Sequence, residues 1–373
     1  MNITLEIHDS AIHALCDIKI TDNYYSFALN QKLKIKNIYN NGKVVYIDSC
    51  EFLDVDFRPK MCKYQLIDLS PGTLNIEYEG ELSGWFLFMQ KELFHFSFYN
   101  AWYPTMLSHE ETYEIDLAYD NQYELIQGVY NPSLNTWHYT TQNQDFVDCN
   151  IMLINKKYAT KLNVDNAVIW YFENDQKDAA KTFCNTLKDV SNFYYQLYGY
   201  HKSGDLTIVL LPEKYKGMGA YQRTGLTVFA ETIKSNDWIT HSISHEIGHN
   251  YANGASCTSW EDWLNETHAE WNALLFELKH NPQLFDKLMQ LKSNQYKGDY
   301  QIKPLGETRP EDVHETGTLM YYDIYQQLGE EAIITLLKTF DSLEIKDTAH
   351  YLEELSKKDN DLFLLLSSKL NIK

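Results

Sequence analysis

The period of the hydrophobic pattern changes once along this chain of 373 residues. Before residue 160 the period is two. ITLEI (3–7), LKIKNIY (33–39), TLNIEYEG (73–80) and YEIDLAY (113–119) all alternate. Alternation puts successive apolar side chains on one face of a half-buried strand. Asn41-Gly42 precedes KVVYI, and this dipeptide predicts a hairpin because both residues tolerate left-handed backbone. No helix of three turns is expected before residue 160, although 84–96 reads either way. The period then becomes three to four. Ala180, Phe183, Cys184, Leu187, Val190, Tyr194 and Leu197 share one helical face, and Gly199 can cap it. LTIVLL (206–211) and LTVFA (226–230) read as strands. From about residue 236 helices dominate: around 245–249, then 261–280, 283–293, 311–328, 330–340, 348–357 and 360–369. The expected chain is α+β, with a β-rich domain over 1–165 and a second domain over 166–373.

Composition narrows the function. Hydrophobic residues make up 44% and charged residues 23%, so the chain can bury cores of ordinary size. A net charge of −20 argues against nucleic acid and anionic membrane as partners, since both need clustered Lys and Arg. Cys16, Cys50, Cys62, Cys149, Cys184 and Cys257 form no CxxC pair, which excludes zinc-ribbon spacing and a dense disulfide framework. There is no run of 18 apolar residues, and MNITLEIHDS lacks the pattern of a signal peptide. A cytoplasmic protein is expected, with leaderless export left open. Nothing in the sequence addresses oligomeric state.

The chemistry sits in HSISHEIGHN (241–250). On a helix, His245 and His249 lie one turn apart on one face and can offer ring nitrogens to a single ion. Glu246 is offset by one residue, beside the ion, where a general base for an attacking water belongs. His241, one turn earlier, is expected as a neutral supporting ring. A catalytic zinc needs a third protein ligand and an open position. One known extension would place Gly at 252 and His at 255. The sequence has Ala252 and Ala255, which excludes it. Another supplies a glutamate from the next helix. In SWEDWLNETHAEW (259–271), Glu266 lies 17 residues past His249, enough for a loop and a returning helix. His268 and Glu270 compete on spacing alone. We expect Glu266 as the third ligand to one zinc ion, and Glu270 as an outer carboxylate that orients a ligand histidine.

HEIGHNYANG and WEDWLNETHA resemble the zinc words of the aminopeptidase N-type gluzincins, peptidase family M1. MGAYQRTGL (218–226) stands where that family has GAMENPGL, and HETGTLMYYDIYQQLG (314–329) where it has YxKGxxxLxxLxxxxG. The tail, HYLEELSKKDNDLFLLLSSKL, resembles two short helices that close the family's catalytic domain. Order and spacing match over about 165–373. Over 1–160 the likeness rests on β content and WYP (102–104). The resemblance implies an N-terminal β-saddle followed by a thermolysin-like catalytic domain, without the large C-terminal helical domain of many relatives. It implies hydrolysis of a peptide substrate, with Glu246 moving the proton.

Two departures touch function. The family's oxyanion donor is the tyrosine of YxKG. Here the aligned residue is His314, with Thr316 in place of the lysine, and Tyr321, Tyr322 or Tyr325 are alternatives. The glutamate of GAMEN binds the substrate's free amino terminus. Here that position is Gln222, followed by Arg223. An amide lacks the charge that pairs with an ammonium group. Glu92 could compensate, but no motif marks it. The backbone from Gly219 and Ala220 onward can still pair with an extended peptide. An aminopeptidase with altered end recognition and an enzyme cleaving blocked or internal peptides are therefore both expected readings. A non-catalytic metal-stabilised binding protein is a distant third.

Overall fold

The computed structural model describes residues 1–53, 59–105, 112–141, 149–164, 167–172, 176–202, 206–215, 218–230, 236–257, 259–295, 302, 309–310 and 312–370. They fall into two compact units. One comprises Met1–Lys161 with Arg223–Gly225, and the other Leu162–Gln222 with Leu226–Lys373.

The first unit is built from strands. Its largest sheet runs in the order Val129–Asn131, Thr136–Thr140, Glu114–Ala118, Asn2–His8, Ala11–Ile20, Gly72–Glu81, Lys34–Asn40, Lys43–Val44. Asn2–His8 buries every second residue, as the alternation requires. The Asn41-Gly42 turn has φ of 50° and 77°, which brings Tyr39 opposite Val44. The ambiguous stretch 84–96 contains two short strands, Phe88–Gln90 and Leu93–Phe96, in a four-stranded sheet with Ile151–Asn155 and Tyr123–Leu125. A third sheet joins Tyr25–Asn30, Met61–Leu66 and Ser49–Leu53.

The second unit has a five-stranded sheet in the order Thr160–Val164, Ala167–Tyr171, Leu206–Leu210, Leu226–Phe229, Ala220–Arg223. Its helices are α1 (Gln176–Tyr198), α2 (Asn236–Gly248), α3 (Asp262–His280), α4 (Pro282–Gln295), α5 (Val313–Leu328), α6 (Glu330–Asp341), α7 (Thr348–Lys358) and α8 (Asn360–Lys369). Helix α3 is buried almost all round, from Trp263 and Leu264 to Phe276, as a central helix must be. α2 and α5 both pack on it. Among the described residues no helix is long and apolar enough to cross a membrane.

Two glycines set how closely these helices approach. A Cβ on Gly248 would lie 2.9 Å from the Ala269 carbonyl oxygen, and one on Gly317 1.7 Å from Thr267 Oγ1. Both belong to words singled out in the sequence, HEIGH and HETG. They let α2 and α5 come close to α3 on either side of Glu266.

Candidate metal centre

α2 and α3 bring the expected ligands together. His245 Nε2 and His249 Nε2 lie 3.2 Å apart, and each is 3.6 Å from Glu266 Oε2. The far sides of both rings are tied down. His245 Nδ1 donates to Glu270 Oε2 at 2.8 Å, and His249 Nδ1 to the Ala252 carbonyl at 3.3 Å. Donation through Nδ1 leaves the Nε2 lone pairs of the neutral rings turned toward each other. Glu266 Oε2 is buried without a hydrogen-bond partner among the described residues. Two facing lone pairs and an orphaned carboxylate oxygen cannot satisfy one another, but a dication satisfies all three. Four donors at zinc-bond distances around a tetrahedral ion stand roughly 3.3 Å apart, close to the separations found. The donor set therefore fits zinc.

Without an ion the two carboxylates favour a proton on His245, which a metal bound at Nε2 would displace. Burial works against a charged His245, yet Glu266 and Glu270 on either side hold it up at about 10. Burial pushes His249 down to about 4. Glu266 is buried, which opposes its charge, but His314, His249 and His245 hold it well below the carboxylate range. Glu270 resists the same penalty through Lys292 and His241. Its Oε1 lies 2.9 Å from Lys292 Nζ and 3.3 Å from His241 Nε2. His241 thus stands beside Glu270.

Glu246, the expected base, is 8% exposed on the same helix. His314 comes from the first turn of α5, and its Nδ1 is 2.9 Å from Glu266 Oε2. Ligating atoms of His245, Glu266 and His314 all lie within 4.8 Å of one another, so His314 is a fourth candidate donor that spacing alone did not suggest. Its side chain is 43% exposed, against 15% for His249. That difference favours His249 in the closed part of the site and His314 at its rim.

The two tyrosines expected as alternatives on α5 have other neighbours. The Tyr321 hydroxyl is used in the core, 2.7 Å from the Tyr351 hydroxyl and 3.2 Å from His268 Nε2. All three side chains are buried. Tyr322 packs on Phe285 of α4 and on Tyr325. The Tyr321 hydroxyl is thus engaged within the core, and Tyr322 is a partly buried ring among aromatic neighbours. His268, a spacing-level rival for the metal, is spent in the same tyrosine cluster, with Nδ1 bonded to the Leu264 carbonyl at 2.6 Å.

Gly219 has φ of 81° and leads into Ala220–Arg223, the edge strand of its sheet. Gln222 Nε2 donates to Asn250 Oδ1 at 2.9 Å. Arg223 belongs to the first unit, where Nη2 donates to the Tyr99 hydroxyl at 2.8 Å and the guanidinium lies over the Tyr99 ring.

Sequence reading missed Arg309, Asp262 and Lys292. Arg309 Nε donates to Asp262 Oδ2 at 2.5 Å, and Nη2 reaches His314 Nε2 at 3.4 Å and Glu266 Oε1 at 3.7 Å. No spacing rule links residue 309 to 262, so no sequence signal marked the pair.

No protein-family model matches the chain, and no curated protein matches it by sequence. Solved structures do. Yeast LTA4 hydrolase in complex with bestatin superposes with a TM-score of 0.71 at 14% identity, covering 98% of this chain and 65% of that one. An M1 zinc metallopeptidase from Deinococcus radiodurans gives 0.69 at 12% identity, covering 99% and 92%. A mutant of that enzyme bound to a Tyr-Ser-Ala substrate gives 0.67. The chain thus spans slightly under two thirds of the yeast hydrolase and nearly all of the bacterial peptidase. Its α+β fold is the fold of these enzymes.

Proposed function

We propose that the chain is a zinc-dependent peptidase in which His245, His249 and Glu266 hold one zinc ion. The observation that carries this reading is the pair of facing Nε2 atoms 3.2 Å apart, turned to a buried carboxylate oxygen with no hydrogen bond of its own among the described residues. A zinc ion held there supplies Lewis acidity to the scissile carbonyl and activates water at neutral pH. Glu246 takes the proton of the attacking water and returns it to the leaving amine. His314, at the rim, donates from Nδ1 to the developing oxyanion. Glu270 holds His245 in the tautomer that presents Nε2. The six scattered cysteines, with no CxxC pair among them, support a cytoplasmic location as part of this proposal.

At the substrate's amino end, Gln222 is bonded to Asn250 and Arg223 to Tyr99. Neither offers a carboxylate to an ammonium group. The reading is therefore a peptidase whose preference for a free amino terminus is weak or absent, with recognition by the main chain of the Ala220–Arg223 edge strand. Assay of a free-amine peptide beside its acetylated twin tests it. Cleavage of the twin at a rate equal to or above the parent's is expected. Glu246→Gln should lower both rates by roughly 10²–10⁴-fold with zinc content unchanged. Strict dependence on the free amine would overturn the recognition claim, and undiminished cleavage by Glu246→Gln the mechanism.

A further inference from the structure

His314 stands where its ring could act in either of two ways. A bare Nδ1 would be one more imidazole ligand and would close the open position a catalytic ion needs. A protonated Nδ1 would be a hydrogen-bond donor at the rim. Which nitrogen carries the proton in a neutral ring is set by the partner of the other nitrogen. The partner here is Arg309. A guanidinium has five N–H groups and no acceptor, so where Nη2 meets His314 Nε2 at 3.4 Å, Nε2 must accept. The proton is then on Nδ1.

Arg309 is itself held in place. Nε donates to Asp262 Oδ2 at 2.5 Å, and the arginine side chain is only 10% exposed. Asp262 is fixed in turn, with Oδ1 accepting from Asn265 Nδ2 at 2.8 Å. Asn265 also clasps both backbone groups of Ala255, on the chain between α2 and α3. Nδ1 of His314 lies 2.9 Å from Glu266 Oε2. That N–H faces the carboxylate oxygen on the side where an ion would sit.

We propose that Arg309, anchored by Asp262, is a positioning residue that holds His314 with Nε2 accepting from the guanidinium and the proton on Nδ1, so that His314 serves the metal centre as a donor and not as a ligand. The step rests on the peptidase reading for its purpose, but its structural content can be tested separately.

The test is ring nitrogen NMR of protein labelled in histidine, metal-free and zinc-loaded, in the absence of substrate. His314 is assigned by its loss in His314→Gln. In the parent protein its ring should show the pattern of a proton on Nδ1. In Arg309→Met the pattern should move to a proton on Nε2 or to a mixture, and Arg309→Lys should restore it in part. The His268 ring, enclosed by tyrosines, reports whether the fold is intact and should not change. Should Arg309→Met alone fail to fold because Asp262 loses its partner, Asp262→Asn/Arg309→Met removes both members of the pair. A proton on Nε2 in the parent, or an unchanged pattern without Arg309, would overturn the proposal. Kinetics separate this from the peptidase reading. If peptides are cleaved, Arg309→Met should lower kcat by about 10–100-fold with little change in KM, and adding His314→Gln should cost little more. A protein that shows the tautomer but cleaves no peptide would remove the peptidase reading and leave the positioning intact.

Discussion

Glu277 lies on α3, 11 residues past Glu266, and is 1% exposed. Neither carboxylate oxygen has a hydrogen-bond partner among the described residues. Burial, with Asp237 adding like charge, pushes the carboxyl up to about 8, far above an ordinary glutamate. Between pH 4.5 and 8 the folded chain keeps a proton there that the unfolded chain has released. Stability contributed at this position therefore falls as pH rises through that window and levels off above about 8. Glu277→Gln cannot ionise. Its melting temperature relative to the parent should climb by a few degrees from pH 5 to pH 8.5, read by thermal scans across that range. A difference that does not vary with pH would count against an ionising buried carboxyl. The contrast with Glu270 is instructive. It is as deeply buried on the same helix, but Lys292 and His241 keep it charged. The two glutamates have equal sequence credentials, and only their neighbours separate a working carboxylate from a burdened one.

At the scale of elements, two close helix contacts hold the site together. Gly317 faces Thr267, the residue after Glu266, and sits one turn past His314. Thr267 is fully buried and short, so it cannot swing out of the way of an added methyl group. Gly317→Ala should cost about 1–3 kcal/mol and weaken zinc binding, because α5 can relieve the clash only by moving from α3. Thr267→Ala in the same chain should recover part of both. Urea titration and competition with a zinc-binding dye read the two effects, and parental values for Gly317→Ala would show that the contact is slack. The helices themselves were legible because period, caps and breakers agree. Asp347 and Asp359 cap α7 and α8 through their side chains, where the sequence places short helices. What was not legible depends on partners distant in sequence. The stretch 84–96 became strands because Leu93–Phe96 pairs with Ile151–Asn155, some 60 residues on. The Tyr321 hydroxyl meets Tyr351 and His268, 30 and 53 residues away, which its own segment does not reveal. Arg309 carries no motif at all.

At the scale of the molecule, the described hydrophobic side chains form two main clusters, one within each unit. One gathers the strands of the first unit, including Ile12, Leu74 and Ile115. The other gathers α1 to α8 and their sheet, including Ile243, Trp271 and Leu319. Each unit thus has a core able to resist local opening on its own terms. The proposed zinc ligands lie entirely in the second, His245 on α2, His249 in the turn just after it and Glu266 on α3. An ion bound only by the folded site adds its binding free energy to whatever opening separates those two helices. Loading with zinc should therefore slow amide hydrogen exchange in peptides covering Asn236–Gly248 and Asp262–His280. Peptides from Ala11–Ile20, in the middle of the eight-stranded sheet, should exchange at unchanged rates. His249→Gln should abolish the protection without altering exchange in Ala11–Ile20. Protection spread evenly over both units would mean that they open together, and absence of protection at α2 and α3 would remove zinc from the site.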